Sequence, residues 1–111
     1  MPIRPTEARI DLDALQANFR ILQAQCPTLN LAPVIKANAY GHGAQTIAPA
    51  LEACGVSYLC VSLIEEGIAL REAGIQTPIL ILAGAINHAY REISEYQLTP
   101  VIYHHQQISH L

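Results

Sequence analysis

The sequence SYLCVSLIEEGIALREAGIQTPILILAG, residues 57–84, decides the fold class of this protein. Two short apolar runs within it predict strands over residues 58–62 and 79–83. Between these runs, Ile64 and Ile68 recur four residues apart, which predicts a helix with one apolar face. A strand, a helix and a second strand at this spacing are typical of parallel βα units, in which helices cover the sheet.

The same alternation continues on both sides of this stretch. Ser62 and Glu65 have the spacing of a capping box, so we expect them to begin the helix that follows the first of the two strands. The predicted helices span about residues 11–25, 44–54, 63–74 and 87–96, with the first turns of another at 104–111, and the remaining predicted strands span 31–36 and 100–103. We expect the four strands to be adjacent, parallel and in sequence order, with the helices on one side.

Four βα units fit either a small open α/β sheet or part of a (β/α)8 barrel of the TIM type. A complete barrel typically needs about 250 residues, and this chain has 111. The last predicted helix also stops in mid-pattern. We therefore expect residues 1–111 to be a partial domain, the N-terminal half of a barrel, in which parallel strands alternate with helices.

Composition excludes several classes of function. Hydrophobic residues make up 51% of the chain and charged residues 14%, a balance that argues against disorder. The net charge is −3, with no cluster of basic residues, so we expect neither nucleic acid nor a membrane surface as a partner. The three cysteines lack disulfide or zinc spacing and suit a reducing cytoplasm. The five histidines lack a convincing metal-ligand spacing, so we expect no metal site.

Lys36 is the only lysine of the chain, and it ends the predicted strand over residues 31–36. In both candidate architectures, ligands bind at the carboxyl ends of the strands. A lysine amine there can attack an aldehyde and form a Schiff base. Tyr40 follows in the loop at the same edge, where its hydroxyl can donate to a phosphate or take part in proton transfer. On position alone, an ordinary solvent-facing lysine and a structural loop tyrosine remain open alternatives.

The segment VIKANAYGHG, residues 34–43, resembles the cofactor-lysine signature of the alanine racemases. Two further stretches, ARIDLDALQANFRIL (residues 8–22) and SLIEEGIALREAGIQTPILILAG (residues 62–84), resemble segments on either side of that signature in the same family. The resemblance covers nearly all of the chain and keeps the family's order. It implies a (β/α)8 barrel followed by a β-rich domain, in a homodimeric cytoplasmic enzyme. These residues would supply the first half of the barrel and none of the β-rich domain.

The resemblance also implies an activity, the interconversion of L-alanine and D-alanine, which supplies D-alanine for the cell wall. Pyridoxal 5'-phosphate is the implied cofactor. Lys36 matches the catalytic lysine that binds it as an aldimine and moves the α-proton on one face. Tyr40 matches the tyrosine beside the cofactor phosphate, and Leu82 matches a leucine packed near the cofactor. Ala83 differs from the residue most common next to that leucine.

The family's second proton-transfer residue is a tyrosine from the C-terminal domain of the partner subunit, which these 111 residues do not include. We therefore expect the chain alone to be inactive. Two alternatives remain open at this point. One is another pyridoxal-phosphate barrel enzyme, such as a racemase of broader substrate range, and the other is a non-catalytic, truncated half barrel.

Overall fold

The structure, a computed structural model, describes residues 3–111 as a parallel sheet with helices packed on it. The strands are β1 (Leu59–Val61), β2 (Ile79–Ile81) and β3 (Thr99–Pro100). The helices are α1 (Leu12–Gln25), α2 (Lys36–Tyr40), α3 (Ala44–Ala53), α4 (Ile64–Glu72) and α5 (Tyr90–Glu95), together with the 3₁₀ turns Ile86–His88 and His105–His110.

The sheet has the predicted order and direction. β1 pairs with β2, and β2 with β3, both in parallel, and Leu59 lies opposite Ile79 in the first pair. Each strand is two or three residues long, so it is shorter than the sequence predicted. The parallel arrangement in sequence order is confirmed.

The predicted strand over residues 31–36 is reduced to a single bridge. Val34 pairs in parallel with Cys60 of β1, so this segment lies at the expected edge of the sheet. The Ile35 N–H donates to the Cys60 carbonyl, and the Cys60 N–H donates to the Pro33 carbonyl, both at 2.8 Å. Pro33 has no N–H of its own, and the chain leaves the extended conformation at Ile35, whose ψ angle is 28°, so the ladder cannot extend in either direction.

The core lies between the sheet and the helices. Leu59, Val61, Ile79 and Ile81 are fully buried and alternate along β1 and β2, so they share one face of the sheet. Helix α4 covers that face closely: a Cβ added at Gly67 would lie 2.9 Å from Ile81 Cδ1. The burial of these strands agrees with their apolar runs in the sequence, which predicted strands covered by helices.

Two predicted helix details are wrong. The carboxylate that caps α4 belongs to Glu66, which accepts from the backbone N–H groups of Ser62 and Leu63, and Leu63 is the N-cap residue. The expected pair of Ser62 and Glu65 is therefore displaced by one position. The predicted helix over residues 87–96 is divided into a 3₁₀ turn and α5, because Asn87 and His88 adopt positive φ angles.

The loop before β2 is held by two charged side chains. Arg71 donates to the carbonyl oxygens of Ile75 and Thr77, and Glu52 accepts from the N–H groups of Gln76 and Thr77 and from the Thr77 hydroxyl, at 2.8 Å each. The Thr77 N–H is the main cause of a lowered Glu52 pKa, and burial opposes it. This clamp fixes where β2 begins.

The sheet is open rather than closed. The radius of gyration is 15.9 Å, against about 13 Å expected for a compact domain of this length.

All three cysteines are free, and burial raises the pKa of Cys60. None of the helices within residues 3–111 is long and apolar enough to cross a membrane.

Candidate functional site

The candidate site lies along the edge where the parallel segments end. Lys36 follows the bridged segment, Ser62 follows β1, and Leu82 follows β2. The Leu82 N–H donates to the Val61 carbonyl at 2.8 Å, which continues the ladder to this edge. Strands in a sheet are about 4.8 Å apart, so the backbones at Lys36 and Leu82, two strand positions apart, are separated by about 10 Å. The sequence-predicted residues therefore share one edge.

Lys36 begins an unusual piece of backbone, the left-handed turn α2. The residues Ala37, Asn38, Ala39 and Tyr40 have φ angles of 50°, 56°, 55° and 54°. For residues other than glycine this conformation costs roughly 1–2 kcal/mol each. Gly41 continues with φ of 90°, where glycine is readily accommodated. Four consecutive non-glycine residues in this region mark a strained segment, and such segments cluster at functional sites.

Side chains and main chain together stabilise the turn. The Ala39 N–H donates to the Ile35 carbonyl at 3.0 Å. Asn38 is bonded twice to the start of α3, because its carbonyl accepts from the Gly43 N–H and its Oδ1 accepts from the Ala44 N–H, both at 2.9 Å. Asparagine tolerates the left-handed region better than most residues, which suits this position. The turn is therefore bonded both to the strand before it and to the helix after it.

His42 lies just beyond the turn and bonds back to it. Its Nδ1 is 2.9 Å from the Ala39 carbonyl oxygen. A histidine that bonds back to the turn helps to orient the loop. Within residues 3–111, no cluster of histidine, cysteine and acidic side chains has the arrangement to hold a metal ion.

Lys36 itself is half-buried at the start of the turn. In the described part of the chain, the ion pairs join Arg9 to Glu7 and Arg91 to Glu95, so no carboxylate holds the Lys36 amine. The peptide that follows Lys36 is fixed by a distant residue. The Ala37 N–H donates to Oε1 of Glu66 at 2.6 Å, and Glu66 is 29 residues further along the chain.

Tyr40 and Leu82 complete the set of sequence-predicted residues. Tyr40 ends the left-handed turn with 60% of its surface exposed. Leu82 is partly buried, and its carbonyl accepts from the hydroxyl of Tyr103, which lies beyond β3. The arrangement offers an amine, a phenol and an apolar side chain along one open edge. That set can bind an aldehyde covalently, hydrogen-bond an anion and contact an aromatic ring.

Sequence reasoning missed two residues at this edge. Glu66 has no predicted role at this edge, yet its carboxylate accepts from the Ala37 N–H. Tyr103 was predicted only to end a strand, yet its hydroxyl donates a hydrogen bond to the Leu82 carbonyl. The adjacent carboxylates of Glu65 and Glu66 were the available signal, but local spacing could not reveal a contact 29 residues away.

Comparison with known proteins identifies the family. Residues 10–111 match the family described as "Alanine racemase, N-terminal domain". The chain belongs to this family. An alanine racemase of Carboxydothermus hydrogenoformans is 41% identical over 104 residues, which cover 94% of this chain and 28% of that protein. An alanine racemase of Hahella chejuensis is 49% identical over 82 residues, which cover 74% of this chain and 22% of that protein.

Solved alanine racemases have the same fold over this region. The enzyme of Clostridium difficile 630 superimposes with a TM-score of 0.89 at 36% identity, over 97% of this chain and 28% of that one. A Bartonella henselae alanine racemase with covalently bound pyridoxal phosphate gives a TM-score of 0.76 at 35% identity, over 82% and 26%. The predicted fold class is confirmed. The chain spans less than a third of the length of these relatives.

Proposed function

We propose that residues 1–111 supply the first half of the barrel domain of an alanine racemase and carry its cofactor lysine, Lys36. The complete enzyme would interconvert L-alanine and D-alanine with pyridoxal 5'-phosphate, as a cytoplasmic homodimer that provides D-alanine for the cell wall. The 111 residues alone would be inactive. Family membership and the covalent cofactor of the Bartonella henselae relative support this proposal.

One observation carries it. The only lysine of the chain lies where the first parallel segment ends, directly before four residues of strained left-handed backbone. Strain of this kind persists only where the surrounding structure imposes it. A lysine whose main chain is fixed while its amine is free of carboxylates suits covalent binding of an aldehyde.

The residues present fit pyridoxal phosphate. Lys36 would bind its aldehyde carbon, and the exposed Tyr40 would donate its hydroxyl proton to a phosphate oxygen. The partly buried Leu82 would contact the apolar part of the ring. When bound, the cofactor withdraws electrons from the α-carbon of an amino acid and so favours loss of the α-proton. Lys36, once released by the substrate, would move that proton on one face.

Racemisation needs a proton-transfer group on each face of the α-carbon, and Lys36 serves only one. The resemblance assigns the second to a tyrosine of the partner subunit, outside these residues. We therefore expect the chain alone to form a covalent adduct with the cofactor at most, without racemising alanine.

Covalent labelling tests the role of Lys36. The chain is incubated with pyridoxal phosphate and reduced with borohydride, which fixes an adduct on an amine, and the labelled peptide is then mapped. Lys36 and the α-amine of Met1 are the only primary amines that can react. We expect label on Lys36 that is lost in denaturant, because the left-handed turn exists only in the folded chain.

The Met1 amine is the internal control, since its labelling does not depend on the fold. Label on Met1 alone, or equal labelling of Lys36 in the native and unfolded chain, would contradict the proposal and favour a non-catalytic half barrel. In a full-length enzyme that contains these residues, Lys36→Ala should abolish racemisation, because it removes both the cofactor anchor and one of the two bases. Near wild-type racemisation in that variant would rule out Lys36.

A further inference from the structure

We infer that Glu66 is a positioning residue for Lys36. Its carboxylate holds the peptide that joins Lys36 to Ala37 against the first turn of α4. This inference rests on the proposed function of Lys36 and adds a residue from a different βα unit to that site.

The geometry divides the carboxylate between two segments of the chain. Oε1 accepts from the Ala37 N–H at 2.6 Å, while Oε2 accepts from the N–H groups of Ser62 and Leu63 at 2.9 and 2.8 Å. Glu66 thus caps its own helix with one oxygen and binds the left-handed turn with the other. Hydrogen bonds to an ionised carboxylate are roughly twice as strong as those between neutral groups.

The two peptides that flank Lys36 are both held. The carbonyl of Ile35, on the preceding peptide, accepts from the Ala39 N–H at 3.0 Å. The N–H of Ala37, on the following peptide, donates to Glu66. Fixing both peptide planes fixes the direction of the Cα–Cβ bond of Lys36, and with it the region that the amine can reach. The bond to Ala39 lies within the strained turn, so Glu66 supplies the anchor from outside it.

A carboxylate is the side-chain group that suits this position. All three partners are N–H donors, so both oxygens must accept. An amide would turn an NH₂ group toward one of the two segments, and either orientation would break one set of bonds. The substitution Glu66→Gln therefore separates the two segments without a large change in volume. The matched control is Glu65→Gln, which removes the same charge from an exposed neighbour in the same helical turn.

Cleavage by a lysine-specific protease tests this contact directly. Lys36 is the only lysine of the chain, so the bond that is cut is Lys36–Ala37, whose N–H donates to Glu66. Cleavage requires the turn to open, so its rate follows the population of the open form. We expect Glu66→Gln to be cut at least about tenfold faster than Glu65→Gln, as loss of a charge-assisted bond implies. Cleavage after the exposed Arg91 by an arginine-specific protease reports general unfolding and should change equally little in both variants.

Equal cleavage rates at Lys36 in the two variants, or a parallel increase at Arg91 in Glu66→Gln, would overturn the inference. The wild type gives a second test that needs no variant to fold. The Ala37 amide should exchange with solvent at least about tenfold more slowly than in an unfolded chain, although Ala37 is exposed, and unprotected exchange would also overturn the inference.

The cofactor reaction then shows whether the contact serves the proposed site. Fold-dependent borohydride labelling of Lys36 should fall at least about tenfold in Glu66→Gln and stay at the wild-type level in Glu65→Gln. Labelling that is equal in all three chains would refute a positioning role. Unequal cleavage with no fold-dependent labelling of the wild type would support the Glu66 anchor and refute the proposed function alone.

Discussion

Gly84, at the end of the β2 ladder, is the position where a single methyl group should disturb the candidate site most. Its φ angle is +73°, and a Cβ there would lie 2.6 Å from the carbonyl oxygen of Val101 and 3.2 Å from the ring of Tyr103. The obstructing oxygen is a backbone atom of Val101, and the Val101 N–H donates to the Ile81 carbonyl at 3.0 Å. Neither Gly84 nor Val101 can move away without disturbing the bond that joins β2 to the residue after β3.

The size of the effect follows from comparison with Gly55. That residue has a similar φ of +78°, but an added Cβ would meet nothing within 4 Å. Both alanine substitutions incur the left-handed backbone cost of about 1–2 kcal/mol, partly offset by the reduced freedom of the unfolded chain, about 0.4–1 kcal/mol. Only Gly84→Ala adds the overpacking cost, about 1–3 kcal/mol. We expect it to be the more destabilising of the two by that amount.

Urea unfolding followed by circular dichroism, at one protein concentration for all variants, measures this difference. With a slope of about 1–3 kcal/mol/M, the midpoint of Gly84→Ala should lie about 1 M below that of Gly55→Ala. Because Tyr103 and Leu82 are held at the same corner, fold-dependent labelling of Lys36 should also weaken. Equal midpoints for the two variants would refute the reasoning from close approach.

Two further predictions concern pH and self-association. Hydrogen bonding lowers the pKa of Glu52, so its stabilisation is present above its ordinary pKa of 4.5 and is lost as pH falls through the folded value. All three donors bond to one oxygen, Oε2, which the amide oxygen of Glu52→Gln can replace, so this variant loses only the charge. After solvent screening we expect a cost of at most about 1 kcal/mol near pH 7 and a flatter acid limb of the urea-midpoint profile, whereas parallel profiles would contradict this. The open sheet leaves Val34 40% and Ile102 38% exposed near its two edges. Sedimentation velocity should therefore show self-association that grows with protein concentration. A monomer throughout a tenfold range of concentration would show the prediction to be wrong.

The fold was predictable because its signals are local. Apolar runs and their spacing specify strand, helix and parallel order, and the burial of Leu59, Val61, Ile79 and Ile81 agrees with continuous apolar strands covered by helices. The strands are shorter than predicted, because an apolar run does not mark where regular strand pairing ends. The bridge at Val34 shows the same limit, since nothing in the run LAPVIK marks where backbone pairing ends.

The site was predictable only in part. The position of Lys36 after a predicted strand and the resemblance of its surroundings to a known signature made it the candidate cofactor lysine, and the structure places it at the expected edge of the sheet. The left-handed conformation of the next four residues was not predictable, since alanine and tyrosine rarely adopt it. The contact of Glu66 with Ala37 depends on the approach of two βα units, which no local pattern encodes.

The cost of the left-handed turn explains why so many bonds converge on it. Four residues at roughly 1–2 kcal/mol each place the conformational penalty at about 4–8 kcal/mol. Four backbone N–H groups donate to partners that fix the turn, those of Ala37, Ala39, Gly43 and Ala44. Each such bond contributes about 0.5–1.5 kcal/mol, or up to about 3 kcal/mol where the acceptor is charged. The charged bond to Glu66 is therefore the largest single compensation. A turn that is barely balanced by its own bonds holds its shape only while each remains, so the geometry at Lys36 depends on a carboxylate from the next βα unit.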